Sequence, residues 1–233
     1  MNKLVVVAAL FHMVCSAGAQ TTSPTTAGVP LSPKSSSATL SELQLRGSAP
    51  TMFATLVREV GLSGGVATSN EGCSRGAEGT VSVPAGTSFE KAVTQIAKLR
   101  TASKWQLDDG VANFFPAGGV PPLLEVQIRS FSWDRATPVR EVLDRLRQLP
   151  EVIQEASKIG LREAPIEGGS STICIRGDCS EKTKPATMPE TEESVSLLTV
   201  LNRLVRAHNG AVWDYSEYRC DNGSLFSLSV LSE

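Results

Sequence analysis

The sequence predicts an α+β fold that consists of two tandem two-layer modules, each with small sheets packed on two helices. The first observation is that the spacing of apolar residues within 87–116 changes from helical to alternating. The second is that the same change recurs within 194–231. We interpret this recurrence as a duplication, with two unrelated helix-hairpin units as the alternative. One offset of 108 residues relates the matching positions, which are Phe89 and Leu197, Val93 and Leu201, Ile96 and Leu204, Ala97 and Val205, and Trp105 and Trp213.

The first of these segments predicts a helix followed by a β-hairpin. Thr87 and Glu90 fit a capping box, in which the two side chains satisfy free N–H groups at the start of a helix. After the helix, Asp108-Asp109-Gly110 supplies the positive-φ residues that a tight hairpin turn requires. Pro116 has no N–H to donate and should end the return strand. The matching hairpin of the second segment is expected to turn at Asn222-Gly223.

Residues 1–19 have the layout of a secretory signal peptide. Lys3 precedes an apolar run, and Ala17-Gly18-Ala19 forms a small-x-small cleavage site, so we expect cleavage after Ala19. The apolar run is shorter than the roughly 20 residues that span a bilayer, and no later segment is apolar enough to do so. The sequence therefore predicts a periplasmic or secreted protein without a membrane span.

Residues 20–40 are rich in Ser, Thr and Pro. Such a segment buries too little apolar surface to offset its ordering entropy, so we expect a flexible tether or a leader without a role. The chain has 22 basic and 24 acidic residues, and loss of Lys3 with the signal would leave 21 basic residues and a formal charge of −3. This small, evenly spread charge argues against nucleic acid as a partner.

The two modules are expected to span residues 41–117 and 123–233, with a Gly/Pro-rich linker at 118–122. The first module is predicted to have strands at 43–46, 64–68 and 79–83, a helix that starts at Pro50-Thr51, and then the helix and hairpin of 87–116. The second is predicted to have a strand through Leu124, Val126 and Ile128, a helix capped by Thr137-Pro138, an additional helix at 150–160, a strand at Ile173 and Ile175, and a mobile loop at 180–193 before its helix and hairpin.

A helix that leads into Trp105, Leu107 and the turn Asp108-Asp109-Gly110 resembles the short N-terminal domain that secretins and TonB-dependent receptors share. Residues 43–116 match as a nearly complete copy. Residues 124–231 match more loosely, with an extra helix and a long loop, and the membrane-embedded segments of those families do not follow. In that family the domain is a small periplasmic unit that contacts other proteins and has no catalytic residues. The resemblance implies an interaction module without a cofactor, in envelope assembly or transport.

Four cysteines remain after removal of the signal, which are Cys73, Cys174, Cys179 and Cys220. An even number in an exported chain favours disulfide bonds. Because Cys174 and Cys179 bracket a short turn, we favour a bond between them, which leaves Cys73 to pair with Cys220. A bond from Cys174 or Cys179 to Cys220 is the alternative. A four-cysteine zinc site is a further possibility, but the sequence lacks the paired CxxC spacing of such sites, so we predict no metal.

Two other features carry functional chemistry in some proteins. Arg176-Gly177-Asp178, a possible exposed recognition loop, is the tripeptide of integrin ligands, and it is also an ordinary solvated turn. His208 is the only histidine after the predicted cleavage, and it lies near a helix end whose dipole favours a cation. No nucleophile, metal-binding or phosphate-binding motif accompanies it, so we predict no catalytic residue and no cofactor.

These observations lead to three hypotheses. The first is a non-enzymatic exported module that binds another exported or envelope protein through strand edges or a helix face. The second is a periplasmic protein that binds a small molecule or a peptide in a cleft between the two halves. The third is an enzyme of unfamiliar type that uses His208 as a base.

We expect the mature protein to begin at Gln20 with all four remaining cysteines oxidised, because an exported chain loses its signal and enters an oxidising compartment. A non-reducing peptide map of the exported protein measures both properties at once. Free thiols or an intact N-terminus would contradict the predicted compartment.

Overall fold

The computed structural model describes residues 39–73, 78–99, 103–165, 190–208 and 211–231. In this part the helices are α1 Ala49–Glu59, α2 Phe89–Lys98, α3 Val139–Arg147, α4 Pro150–Lys158 and α5 Leu197–Ala207. The strands are β1 Leu43–Gly47, β2 Ser63–Glu71, β3 Gly79–Val83, β4 Lys104–Asp108, β5 Val111–Phe115, β6 Gln127–Trp133, β7 Leu161–Glu163, β8 Glu190–Ser196, β9 Val212–Cys220 and β10 Gly223–Leu231. The predicted α+β class is confirmed.

The strand pairing is the same in the two halves of the described chain. In the first half, β1 pairs antiparallel with β3, β2 pairs parallel with β5, and β5 forms a hairpin with β4. In the second half, β6 pairs antiparallel with β8, β7 pairs parallel with β10, and β10 forms a hairpin with β9. The second half also has α4, as predicted. A common origin of the halves stays a prediction.

The two halves meet within one six-stranded sheet, in the order β4-β5-β2-β9-β10-β7. The two-stranded pairs are small sheets within each half, as predicted, but the larger sheets are joined into one through β2 and β9, which run parallel. The physical reason is burial: residues 63–68 of β2 are all buried, and a buried backbone needs a strand partner on both sides. The described residues belong to one compact unit.

The six-stranded sheet has a separate hydrophobic cluster on each face. Val66, Ala112 and Phe114 pack with α1 and α2 on one face. Ala67 and Phe115 pack with α3 and α5 on the other. Successive residues of the central strands therefore pack into different hydrophobic clusters, one on each face of the sheet. For this reason these strands are apolar on both faces. No helix in the described ranges has the length and apolarity that a membrane crossing requires.

Matching serines start the equivalent helices of the two halves. The hydroxyl oxygen of Ser88 accepts a hydrogen bond from the Lys91 N–H at the start of α2, and Ser196 does the same at the start of α5. The prediction that Thr87 caps α2 is wrong, because its hydroxyl donates to the Pro84 carbonyl at 2.7 Å instead. Both serines are separated by the same 108 residues as the apolar positions.

Several predicted boundaries need correction. Pro138, and not Thr137, is the N-cap of α3. Leu124 lies in a 3-10 helix, Pro122–Glu125, and the strand starts only at Gln127. The folded part also begins earlier than expected, because Leu40 is buried and its N–H donates to the Thr87 carbonyl at 2.9 Å.

Part of the predicted mobile loop at 180–193 is a strand, since β8 covers Glu190–Ser196. The sequence of β8 is rich in acidic residues and therefore indicates a loop. The structure compensates one of these charges, because buried Glu192 forms an ion pair with Arg203 of α5. The predicted strand at Ile173 and Ile175, the cysteines Cys174 and Cys179, and the rest of that loop lie outside the described residues.

Gly65 of β2 leaves room for the ring of Trp213, which lies opposite it on β9. A Cβ atom at this position would lie 1.8 Å from Cε2 of Trp213, which is far inside van der Waals contact. The indole ring therefore covers the space that a side chain of β2 would occupy. Glycine in the middle of a strand is otherwise unfavourable, and close approach of this kind is one of its accepted uses.

A disulfide bond between Cys73 and Cys220 connects the ends of the same two strands, with Cα atoms 5.0 Å apart. This is the pairing predicted for these two cysteines. It also excludes the alternative in which Cys220 bonds to Cys174 or Cys179. The disulfide is thus a covalent connection between the two halves, across 147 residues of sequence.

Gly65→Ala should reduce the free energy of unfolding by about 2–3 kcal/mol, because the new methyl group must displace the Trp213 ring from a packed core. Gly118→Ala is the matched control, since Gly118 has open space around its Cα and should change stability by no more than about 0.5 kcal/mol. Urea unfolding of both variants measures the difference. Equal stability would contradict the packing described for Trp213.

Candidate functional site

Strand β4 is the outermost strand at one end of the six-stranded sheet. Within the described ranges only β5 pairs with it, in a register that places Lys104 opposite Phe115 and Asp108 opposite Val111. The two strands are joined by Asp109 and Gly110, whose φ angles are 47° and 77°. Positive φ at both positions is the geometry of a type I′ turn, so the hairpin predicted from Asp108-Asp109-Gly110 is confirmed.

The turn determines which backbone groups of β4 face outward. A two-residue hairpin loop closes on a hydrogen-bonded pair, and such pairs alternate along an antiparallel ladder with pairs that do not bond. Asp108 is the closing residue, so Asp108, Gln106 and Lys104 bond to β5. The N–H and C=O groups of Trp105 and Leu107 consequently point to the open side of the strand.

The side chains of β4 differ between its two faces. Trp105 is half-buried, and its ring meets the Phe89 ring edge-on with centroids 5.8 Å apart. Leu107 lies on the same face and is 41% exposed, so its side chain is accessible to a partner. On the opposite face Lys104, Gln106 and Asp108 are all exposed. We call residues 104–108 the β4 edge.

Helix α5 of the second half holds this hairpin of the first half in place. The Asn202 side-chain amide donates to Asp108 Oδ2 at 3.3 Å, while its carbonyl oxygen accepts from Trp213 Nε1 at 2.9 Å. One turn further along α5, Arg206 forms an ion pair with Asp109 in the hairpin turn. Sequence reasoning missed Asn202, because a single Asn on a helix carries no signal of what it contacts.

The junction between the halves is filled by strand pairing and by buried polar contacts. The hydroxyl groups of Thr68 and Ser216 lie 2.9 Å apart across β2 and β9, and the Asn70 amide donates to the Glu217 carbonyl at 3.1 Å. Next to them, burial and then the nearby Glu217 carboxylate raise the pKa of Tyr215 above its ordinary value. The Tyr215 hydroxyl donates to Glu217 Oε1 at 2.7 Å. These contacts lie along β2 and β9, where the two halves pair within the sheet.

The other predicted site residues have different outcomes. His208 is the C-cap of α5, and its ring stacks on the Trp133 ring at a centroid distance of 6.1 Å. Arg176-Gly177-Asp178 lies outside the residues that the structure describes. In the described part of the chain, no cluster of three or more His, Cys, Asp or Glu side chains is arranged to hold a metal ion.

Comparison of the chain with family models, with curated proteins and with solved structures finds no match. The resemblance to the short domain of secretins and TonB-dependent receptors therefore stays a prediction from the residues. The β4 edge is the feature from which a function can be inferred, because it combines outward backbone groups with an exposed apolar side chain.

Asn202→Ala should lower the free energy of unfolding by about 1–3 kcal/mol, because it leaves the buried Trp213 N–H without its acceptor. Arg206→Ala is the control on the same helix, and loss of its exposed ion pair should cost no more than about 1 kcal/mol. Thermal and urea unfolding provide the comparison. If Arg206→Ala proved the more damaging change, the role assigned to Asn202 would be wrong.

Proposed function

We propose that this protein is a non-enzymatic exported interaction module that binds another exported or envelope protein through the β4 edge. The partner would add an extended segment as a further strand beside β4. This proposal rests on the outward N–H and C=O groups of Trp105 and Leu107, to which no strand in the described chain pairs, and on the exposed side chain of Leu107. Strand addition of this kind obtains affinity from backbone hydrogen bonds and specificity from alternate side chains.

The composition of the β4 edge supports binding over simple exposure. Natural sheets protect their edges with short strands, charges, prolines or bulges, because an open edge templates pairing with other chains. The opposite outer strand, β7, has only three residues, whereas β4 has five, without a proline. Its apolar residues Trp105 and Leu107 share one face, which gives a partner strand an apolar surface to cover.

Two observations support an exported location. Residues 1–19 have the pattern of a signal peptide, and the disulfide bond between Cys73 and Cys220 suits an oxidising compartment such as the periplasm or the exterior. The resemblance to a periplasmic domain of secretins and TonB-dependent receptors adds a role in envelope assembly or transport. For the cleft hypothesis, no specific observation in the described chain is favourable.

Leu107→Pro tests the proposal with little effect on the fold. Proline removes the outward N–H of Leu107 but leaves the hydrogen bonds between β4 and β5, since those use the neighbouring residues. The partner is the protein that the unmodified mature chain, used as bait, recovers from the exported fraction. The affinity of the Leu107→Pro variant for this partner should be at least about tenfold lower, because one to two hydrogen bonds are lost.

Ile153→Ser is the matched control, because Ile153 is an exposed apolar residue of α4, 55% exposed and outside the β4 edge. It should leave partner recovery unchanged. Circular dichroism and melting curves would establish that both variants fold. Equal recovery by the Leu107→Pro bait, or no reproducible partner for any bait, would contradict the proposal.

A further inference from the structure

The sequence of the β4 edge is complementary to itself. The five residues are Lys104, Trp105, Gln106, Leu107 and Asp108. A basic residue lies at one end and an acidic residue at the other, and the central Gln has one apolar residue on each side. We propose that the partner which fits this edge is a second copy of this chain, paired antiparallel with Gln106 opposite Gln106. This inference rests on the proposed function, because it requires the β4 edge to accept a strand.

The backbone restricts the registers that are available to such a pair. Only Trp105 and Leu107 direct their N–H and C=O groups outward, so these residues must lie opposite outward-facing residues of the second copy. The register centred on Gln106 satisfies this condition, since Trp105 of each copy faces Leu107 of the other. It forms two hydrogen-bonded pairs and places the two Gln106 residues at a position that does not bond.

The side chains favour the same register. Residues directly opposite in an antiparallel pair share a face of the sheet. Lys104 of each copy therefore lies opposite Asp108 of the other, which gives two pairs of opposite charge. On the other face, Trp105 packs beside Leu107 of the second copy and covers its exposed side chain.

The neighbouring allowed registers lose these matches. A shift that centres the pair on Leu107 places Lys104 opposite Gly110, in the hairpin turn of the second copy. A shift that centres it on Trp105 places Asp108 beyond the first residue of β4 in the second copy, so that Asp108 has no strand residue opposite it. The central register alone uses all five residues of β4. It would also join the six-stranded sheets of two copies into one continuous sheet.

Asp108 remains available for this contact in the described structure. It is exposed, and the Asn202 amide bonds to only one of its two carboxylate oxygens, Oδ2. Lys104 is exposed as well, and no carboxylate of the described residues forms an ion pair with it. Each end of the β4 edge therefore has an exposed charged group that can contact a second copy.

Disulfide trapping tests the register directly. Opposite residues at a position without hydrogen bonds have Cα atoms about 4.5 Å apart, within the range that a disulfide bridges. The mature chain with Gln106→Cys should form a covalent dimer on mild oxidation, and peptide mapping should identify a bond between the two Cys residues at position 106. Leu107→Cys is the control, because position 107 faces position 105 and its two copies lie further apart.

Charge reversal tests the same contact without a covalent trap. Lys104→Glu and Asp108→Lys should each weaken the homodimer about tenfold, because both opposite-charge pairs become like-charge pairs. An equimolar mixture of the two variants should associate as strongly as the unmodified protein, since every pair in the mixed dimer again has opposite charges. Sedimentation velocity over a concentration series measures this, and melting curves show whether loss of the Asn202 contact unfolds Asp108→Lys.

The outcomes separate this inference from the function on which it rests. A protein that stays monomeric at all concentrations overturns the second copy as partner. Equally fast trapping at positions 106 and 107 overturns the register centred on Gln106. If such a monomer still recovers another protein in a manner that depends on Leu107, the proposed function stands. Two results together would overturn the β4 edge as the interface of a dimer. The first is that the Leu107→Pro variant still forms the dimer, and the second is that the mixture of the two charge variants associates no more strongly than either variant alone.

Discussion

The structure depends on the contact between β2 and β9, where the Trp213 ring lies over Gly65. This contact joins the two halves into one sheet, and it also determines where other groups lie. The indole N–H of Trp213 bonds to Asn202, and Asn202 in turn bonds to Asp108 at the end of β4. Two side-chain hydrogen bonds therefore connect the end of β4 to the centre of the sheet, in addition to the strand pairing through β5.

The junction between the halves is more polar than the rest of the core. The paired hydroxyl groups of Thr68 and Ser216 and the amide of Asn70 are buried along the same two strands that carry the disulfide at their end. Buried polar groups contribute little net stability, but each wrong register would leave them without partners. These contacts therefore specify how β2 and β9 align, while the apolar clusters on the two faces supply the stabilisation.

The open edge follows from the way in which the two halves combine. Each half has three strands in the larger sheet, and joining β2 to β9 leaves β4 and β7 as the outer strands. Of these two outer strands, β4 is the longer, and it carries the exposed apolar side chain of Leu107. The binding role that we propose for β4 rests on this arrangement of the halves.

The local features of this protein can be predicted from its amino-acid sequence. The helix faces follow from apolar spacing, and the hairpin at Asp109 and Gly110 follows from turn chemistry, because both depend on residues close together in the chain. For the cysteines, the residues favoured Cys73 with Cys220 but left an alternative partner for Cys220 open, and the structure pairs Cys220 with Cys73. The pairing of β2 with β9, the pairing of acidic β8 with β6 and the contact of Asn202 with the hairpin became apparent only in three dimensions. These features arise from packing between segments distant in sequence, and spacing within one segment contains no information about such a partner.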